Sequence, residues 1–226
     1  MQLSTQRTTR PATQPATQLS VQHETIGEFL GALAARVPAP GGGAAAGLHA
    51  AVAAALLGMV ARYTTGHRYA EHAERITELI DATDRWRADA LRSAQDDAQA
   101  FGAVAKAYGL PKGTPEARRT RSAAIARALT LAAQPPTAVI GLAHALLPAA
   151  RELRTIGNRS VLADVAAAAE AVRAAAVTAR INVEVNLPGI TDAAVRTDLR
   201  NTAGTVDRIV IGADEITAAV RAEIAG

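Results

Sequence analysis

Apolar residues recur along this chain at intervals of three and four, in runs separated by clusters of proline and glycine. That spacing predicts a succession of amphipathic helices, each stopped where Pro or Gly intervenes. Ile26 to Leu33 reads as a first short helix, and Thr25-x-x-Glu28 ahead of Phe29, Leu30 and Leu33 predicts a capping box at its start. A second helix is expected from about Gly43 to Thr64. A third runs from near Arg68 to Tyr108, roughly 60 Å if unbroken at about 1.5 Å per residue. Gly109-Leu110-Pro111 stops it, and Thr114 caps a fourth helix with Pro115 at its first position. Pro135-Pro136 separates the fourth from a fifth that reaches about Ile156. Gly157-Asn158 then turns the chain, and Ser160 is the expected cap of a sixth helix ending near Leu187. After Pro188-Gly189, Thr191 opens a last helix to the C-terminus. Only Asn182-Val183-Glu184-Val185-Asn186 alternates with period two, too short and isolated to build a sheet. The predicted fold is all-α, an up-and-down bundle of about six or seven long helices.

Residues 1–24 break this pattern. Their Thr, Gln, Ser and Pro content offers little to bury, so they are read as a flexible tail ahead of a single domain spanning 25–226. The chain has 226 residues, ample for a proper core. Aromatic residues are only 3% of it, so that core must come from closely packed helices rich in alanine. The formal charge of +3 is spread among interspersed acids with no basic block, which argues against a nucleic-acid face. With no cysteine, a disulfide framework, a thiol nucleophile and a thiolate metal site are all excluded. Ala44 to Ala61 invites a membrane check, but it is mostly alanine, contains His49 and ends in Arg62, which fits a buried bundle helix better. No secretory signal pattern opens the chain, and a cytoplasmic location is expected.

Three places offer candidate chemistry. Pro38-Ala39-Pro40-Gly41-Gly42-Gly43 runs directly into the second helix, so a bare loop delivers unpaired backbone N–H groups to a possible anion or carbonyl oxygen. The spacing fits a dinucleotide fingerprint only formally, because a helix and not a strand precedes it, and no Gly-Lys-Ser/Thr follows. A tight turn chosen for close helix packing explains the same glycines. On the third helix the apolar stripe runs Ile76, Leu79, Ile80, Thr83, Trp86, Ala90, Ala94, Phe101, Val104 and Tyr108, and Asp97 lies on it while Asp96 points elsewhere. A carboxylate facing the core has shifted proton affinity, which makes Asp97 a candidate general acid/base. Capping a neighbouring helix or pairing with an arginine is the simpler account of the same residue. On the sixth helix Asn182 and Asn186 stand one turn apart and could read a heterocycle's donors and acceptors together. Asp164 lies about 27 Å along that helix from Asn182, and a dipole-stabilising role in the first turn is its simpler account. The histidines at 23, 49, 67, 72 and 144 are scattered without metal-ligand spacing. Arginines at 118, 119, 121 and 127 could attract an anion, or simply form a solvated face.

These elements, taken in order, resemble the family of formiminotetrahydrofolate cyclodeaminases and methenyltetrahydrofolate cyclohydrolases. The resemblance rests on Pro38-Ala39-Pro40-Gly41-Gly42-Gly43, then Asp97-x-x-Ala100-Phe101, then Leu110-Pro111-Lys112-x-Thr114-Pro115-Glu116 with Arg121. Gly157-Asn158 with Asp164, Asn182-Val183-x-Val185-Asn186-Leu187 and Ile190-Thr191-Asp192 follow in register. It implies an all-helical homodimer acting on a tetrahydrofolate derivative with no metal or redox cofactor, while charge and composition point to no nucleic-acid or membrane partner. The position ascribed to catalysis falls on Asp97, as general acid/base. Gly41, Gly42, Gly43, Asn182 and Asn186 would shape the pterin site, and Lys112 and Arg121 would hold a glutamate tail. The implied reaction is hydrolysis of methenyltetrahydrofolate to formyltetrahydrofolate, or deamination of formiminotetrahydrofolate. Ala39, Ala44 and Ala163 stand where the family often carries hydroxyls, which suggests altered ligand contacts. That leaves two alternatives: a relative repurposed as a lyase or cyclase handling water or ammonia in small-molecule biosynthesis, and a non-catalytic helical scaffold.

Overall fold

The computed structural model of the protein describes residues 24–226, so the expected tail lies almost wholly outside the described residues, His23 included. Eight α-helices and three short 3₁₀ turns make up those residues, with no strand among them. The helices are α1 (Ile26–Ala34), α2 (Gly42–Tyr63), α3 (Ala73–Tyr108), α4 (Pro115–Ala132), α5 (Gln134–Ile156), α6 (Leu162–Asn186), α7 (Ala193–Gly204) and α8 (Val206–Ala225). Six of them have 18 residues or more, and the short alternating stretch at 182–186 is the last turn of α6.

Local chemistry sets most boundaries. The Thr25 hydroxyl accepts the Glu28 N–H at 3.2 Å while the Glu28 carboxylate accepts the Thr25 N–H at 2.8 Å, completing the expected capping box. Thr114 caps α4 through the Ala117 N–H, at 3.1 Å. Pro135 and Pro136 sit in the first turn of α5, where a missing N–H costs nothing, and Ala133 alone separates α5 from α4.

Four expectations need correction. The segment from Arg68 is a 3₁₀ turn, His67–His72, and α3 begins at Ala73; Arg68 is drawn to Asn158 Oδ1 at 3.2 Å. Ser160 does not cap α6. Asn158 accepts the Ser160 N–H and thereby forms a second 3₁₀ turn, Arg159–Val161, ahead of the helix. The cap after Pro188-Gly189 is Asp192, which accepts from the N–H groups of Ala194 and Val195, and not Thr191. The last helix is two helices. At Thr205 the side-chain hydroxyl bonds the Thr202 carbonyl at 2.6 Å and meets His144 Nε2 at 2.7 Å, competing with the helical ladder.

Packing centres on α2, which lies against α3, α5 and α6, while α8 covers the other side of α6. By length and hydropathy α2 could cross a membrane, yet Ala46, Ala50, Ala53, Leu57 and Val60 are fully buried within the bundle. The core is built as its composition required: alanines from α2 and α6 interleave with Leu57, Leu79, Ile140, Leu146, Val165 and Ile216, and Phe29 is the buried aromatic of a small satellite cluster. Gly47 shows how close the helices come. A Cβ there would lie 2.8 Å from the Ala90 carbonyl oxygen and the Ala94 nitrogen, so the α2 and α3 backbones touch. Asn158 ties the far end together, donating to the Tyr63 carbonyl at 2.8 Å and accepting from Arg68. Gly157-Asn158 is therefore a structural staple between the end of α2 and the α5–α6 turn.

Candidate active site

The close contact at Gly47 places the start of α2 beside the later turns of α3. The stripe on α3 consequently changes character along its length. Ile76, Leu79, Thr83, Ala90 and Ala94 are buried, whereas Phe101 and Tyr108 are about half exposed, at 49% and 52%. Beyond Ala94 the stripe leaves the core and becomes the wall of a cavity of about 450 Å³, well within the ~300–1,000 Å³ of small-molecule sites. The opposite walls are the Pro38–Gly43 loop, the end of α6 with Asn182, Val185 and Asn186, and Leu129 and Ala132 of α4.

Asp97 stands at the point where wall meets core. Its carboxylate accepts the backbone N–H of Ala44, in the first turn of α2. The helix itself is capped by Gly41, which has no side chain to do this. Both readings of Asp97 thus meet in one residue: it caps a neighbouring helix and also faces a cavity. Burial pushes its carboxyl up to about 6 from an ordinary 3.8, with the Ala44 N–H opposing the shift. Gly43 makes the contact possible, because a Cβ at that position would overlap the Asp97 carboxylate. Asp96 faces away, into a separate shallow groove lined by Gln99, Gln134 and Pro135.

The two asparagines are held by their own helix. Asn182 Nδ2 donates to the Thr178 carbonyl and Asn186 Nδ2 to the Asn182 carbonyl, each at 2.8 Å. One N–H and the amide oxygen of each side chain are left for a ligand. Gly42 gives Asn182 room, since a Cβ there would stand 3.3 Å from Nδ2.

Gly41, Gly42, Gly43, Asp97, Asn182 and Asn186 are therefore gathered in one cavity. Lys112 and Arg121 are not in its lining. Lys112 is on the exposed loop after α3, and Arg121 on α4 is engaged with Tyr108. Ala39, Ala44 and Ala163 also lie outside the lining. Ala44 is fully buried, in a cluster with Phe29 and Ala94, and Ala163 is at the far end of α6. Of the three positions only Ala39 is flanked on both sides by lining residues, Pro38 and Pro40.

Sequence reasoning did not assign Phe101, Tyr108 or Val185 to the site. The signal was present in the stripe itself: in a chain with so few aromatics, Phe101 and Tyr108 share a face with Asp97. No cluster of three or more potential metal-ligating His, Asp or Glu residues occurs among the described residues. The cavity offers a carboxyl of raised proton affinity, amide groups for a polar heterocycle edge, and aromatic and aliphatic walls for its faces.

Comparison with known proteins finds relatives along most of the chain. The formiminotransferase-cyclodeaminase family profile matches residues 25–205. The methenyltetrahydrofolate cyclohydrolase of Methylorubrum extorquens is 36% identical over 167 residues, covering 74% of this chain and 80% of that protein. The formimidoyltransferase-cyclodeaminase of Mus musculus is 37% identical over 165 residues, covering 73% of this chain but 30% of the longer protein. The crystal structure of formiminotetrahydrofolate cyclodeaminase from Thermotoga maritima superposes with a TM-score of 0.80 at 26% identity, covering 91% of this chain and 100% of that one. This chain belongs to the formiminotransferase-cyclodeaminase family.

Proposed function

We propose that the protein is an enzyme of folate one-carbon metabolism that hydrolyses methenyltetrahydrofolate to formyltetrahydrofolate, with Asp97 as general acid/base. The observation that carries this reading is a carboxyl with proton affinity near neutrality, fixed by a backbone N–H and facing a cavity of suitable size. A group titrating near 6 is about nine-tenths ionised at neutral pH, which suits a base that must later return its proton.

In the forward reaction the carboxylate takes a proton from water as the water oxygen bonds to the cationic methenyl carbon. The same proton passes to N5 as the C–N5 bond breaks. The carbinol hydroxyl loses its proton to solvent, and the formyl group stays on N10. The negative carboxylate also stabilises the delocalised cation before attack. Asn182 and Asn186 would hold the polar edge of the pterin, and Gly41–Gly43 would let its ring approach the backbone. Lys112, on the loop beyond Tyr108, would meet the glutamate tail.

Deamination of formiminotetrahydrofolate is the second reading, favoured by the names of the murine and Thermotoga relatives. It uses the same carboxyl in the opposite order: N10 attacks the formimino carbon, and the protonated acid delivers its proton to the departing ammonia. A homodimer is part of the proposal. Val52 on α2, and Ile181 and Val185 on α6, are 44%, 58% and 70% exposed, apolar surface that a second copy would cover.

The deciding measurement is the decay of methenyltetrahydrofolate absorbance with purified protein beside Asp97→Asn. Decay well above the buffer rate, reduced at least about 100-fold in the variant, is expected. Wild-type protein inert toward both folates would overturn the proposal and revive the lyase or scaffold readings.

A further inference from the structure

Arg121 lies on α4, outside the cavity lining, yet it is bound to a residue that lines it. Its Nε and Nη2 donate to the Tyr108 carbonyl at 3.3 and 3.1 Å, and its guanidinium carbon stands 5.5 Å from the Tyr108 ring centroid. Tyr108 is the last residue of α3, where carbonyls have lost their intrahelical partners and a cation is favoured by the helix dipole. Its ring lies two turns beyond Phe101 and three beyond Asp97 on the same face. Past it the chain leaves the helix through Gly109, Leu110 and Pro111, all exposed. With half its surface open to solvent, Tyr108 has little packing to fix it, and two hydrogen bonds plus a cation–π contact supply that fixation from the next helix.

We propose that Arg121 is a positioning residue that holds Tyr108 as the outer end of an aromatic wall, and that Phe101 and Tyr108 bind the flat, cationic ring system presented to Asp97. The ligand half of this proposal rests on the folate reading, and the clamp itself does not. An aromatic face attracts a delocalised cation and is indifferent to the neutral product, so the wall favours methenyl substrate over formyl product. It also assigns Arg121 a different task from the binding of a carboxylate tail.

The test compares Arg121→Ala, Tyr108→Ala, Tyr108→Phe and the double variant Arg121→Ala/Tyr108→Ala, on methenyltetrahydrofolate and on the corresponding tail-less methenyltetrahydropteroate. Arg121→Ala is expected to raise KM roughly tenfold with kcat within about twofold. The penalty should be the same on both substrates, should add nothing in the Tyr108→Ala background, and should be absent in Tyr108→Phe. A penalty that disappears on the tail-less substrate, or that adds in full to Tyr108→Ala, overturns the proposal in favour of a direct tail ligand. Hydrogen exchange on the free protein separates this from failure of the folate reading. Loss of protection in the last turn of α3 in Arg121→Ala, but not in Tyr108→Phe, supports the clamp even if no folate is turned over. Unchanged protection in Arg121→Ala refutes it.

Discussion

A carboxylate that accepts a hydrogen bond from the first turn of a helix normally ionises more readily, because the N–H and the dipole both favour its anion. Asp97 does the reverse. Removal from water outweighs the single bond from Ala44 and leaves its carboxyl near 6. In the proposed reaction the base form is required, so kcat/KM should fall as pH drops through about 6. A pH profile flat from 5 to 8 would count against Asp97 as the base. The same shift bears on stability. Because the folded-state value is raised, the stabilising contribution is complete below the ordinary 3.8 and is lost as pH rises through about 6. Asp97→Asn removes an ionised group that costs the folded state at most about 3 kcal/mol at pH 7.5. Thermal melts should therefore show Asp97→Asn more stable than wild type at pH 7.5 and the difference closing below pH 4. Gly43→Ala probes the same contact from the other side. The short Asp97 side chain can swing away from an added methyl, so the fold should survive with a loss within about 1 kcal/mol, while activity drops by at least about tenfold.

Among the elements, the α2–α3 pair decides whether there is a site. Its closeness depends on Gly47, which lets the two backbones meet and so brings Gly43 against Asp97 one turn away along each helix. Gly47→Leu should push the helices apart and destabilise by about 1–3 kcal/mol or more, and urea denaturation measures this directly. A variant with unchanged midpoint would mean that the contact is not under packing constraint. α3 also shows why periodicity could identify Asp97 but not place it. The stripe from Ile76 to Tyr108 has one phase, whereas its surroundings change from core to cavity between Ala94 and Phe101. A 3.6-residue period says which residues share a face and nothing of what that face meets. The break between α7 and α8 is hidden in the sequence for a related reason: Gly204-Thr205 carries a weak break signal, and His144, 61 residues earlier, helps to set the turn.

For the molecule as a whole, the open question is what covers the apolar residues exposed on its two central helices. Under the homodimer proposal, light scattering should give twice the 23.3 kDa of one chain. Val52→Arg paired with Ile181→Arg should yield a folded monomer, and a wild-type mass of one chain would defeat this part of the proposal.

Caps, breakers and periodicity are local and leave their mark on neighbouring residues, so the helical class, most helix starts, the alanine-built core and the candidacy of Asp97 are legible in the amino-acid order. It also carried the family, through short motifs in a constant order. The packed bundle brings Gly42, Gly43, Asp97, Asn182 and Asn186 into one cavity while Arg121 serves Tyr108 from outside it. It also buries Ala44 beyond a ligand's reach and makes Gly157-Asn158 a staple. These relations depend on where helices far apart in sequence cross, which is fixed by the fit of whole surfaces and is encoded in no single segment.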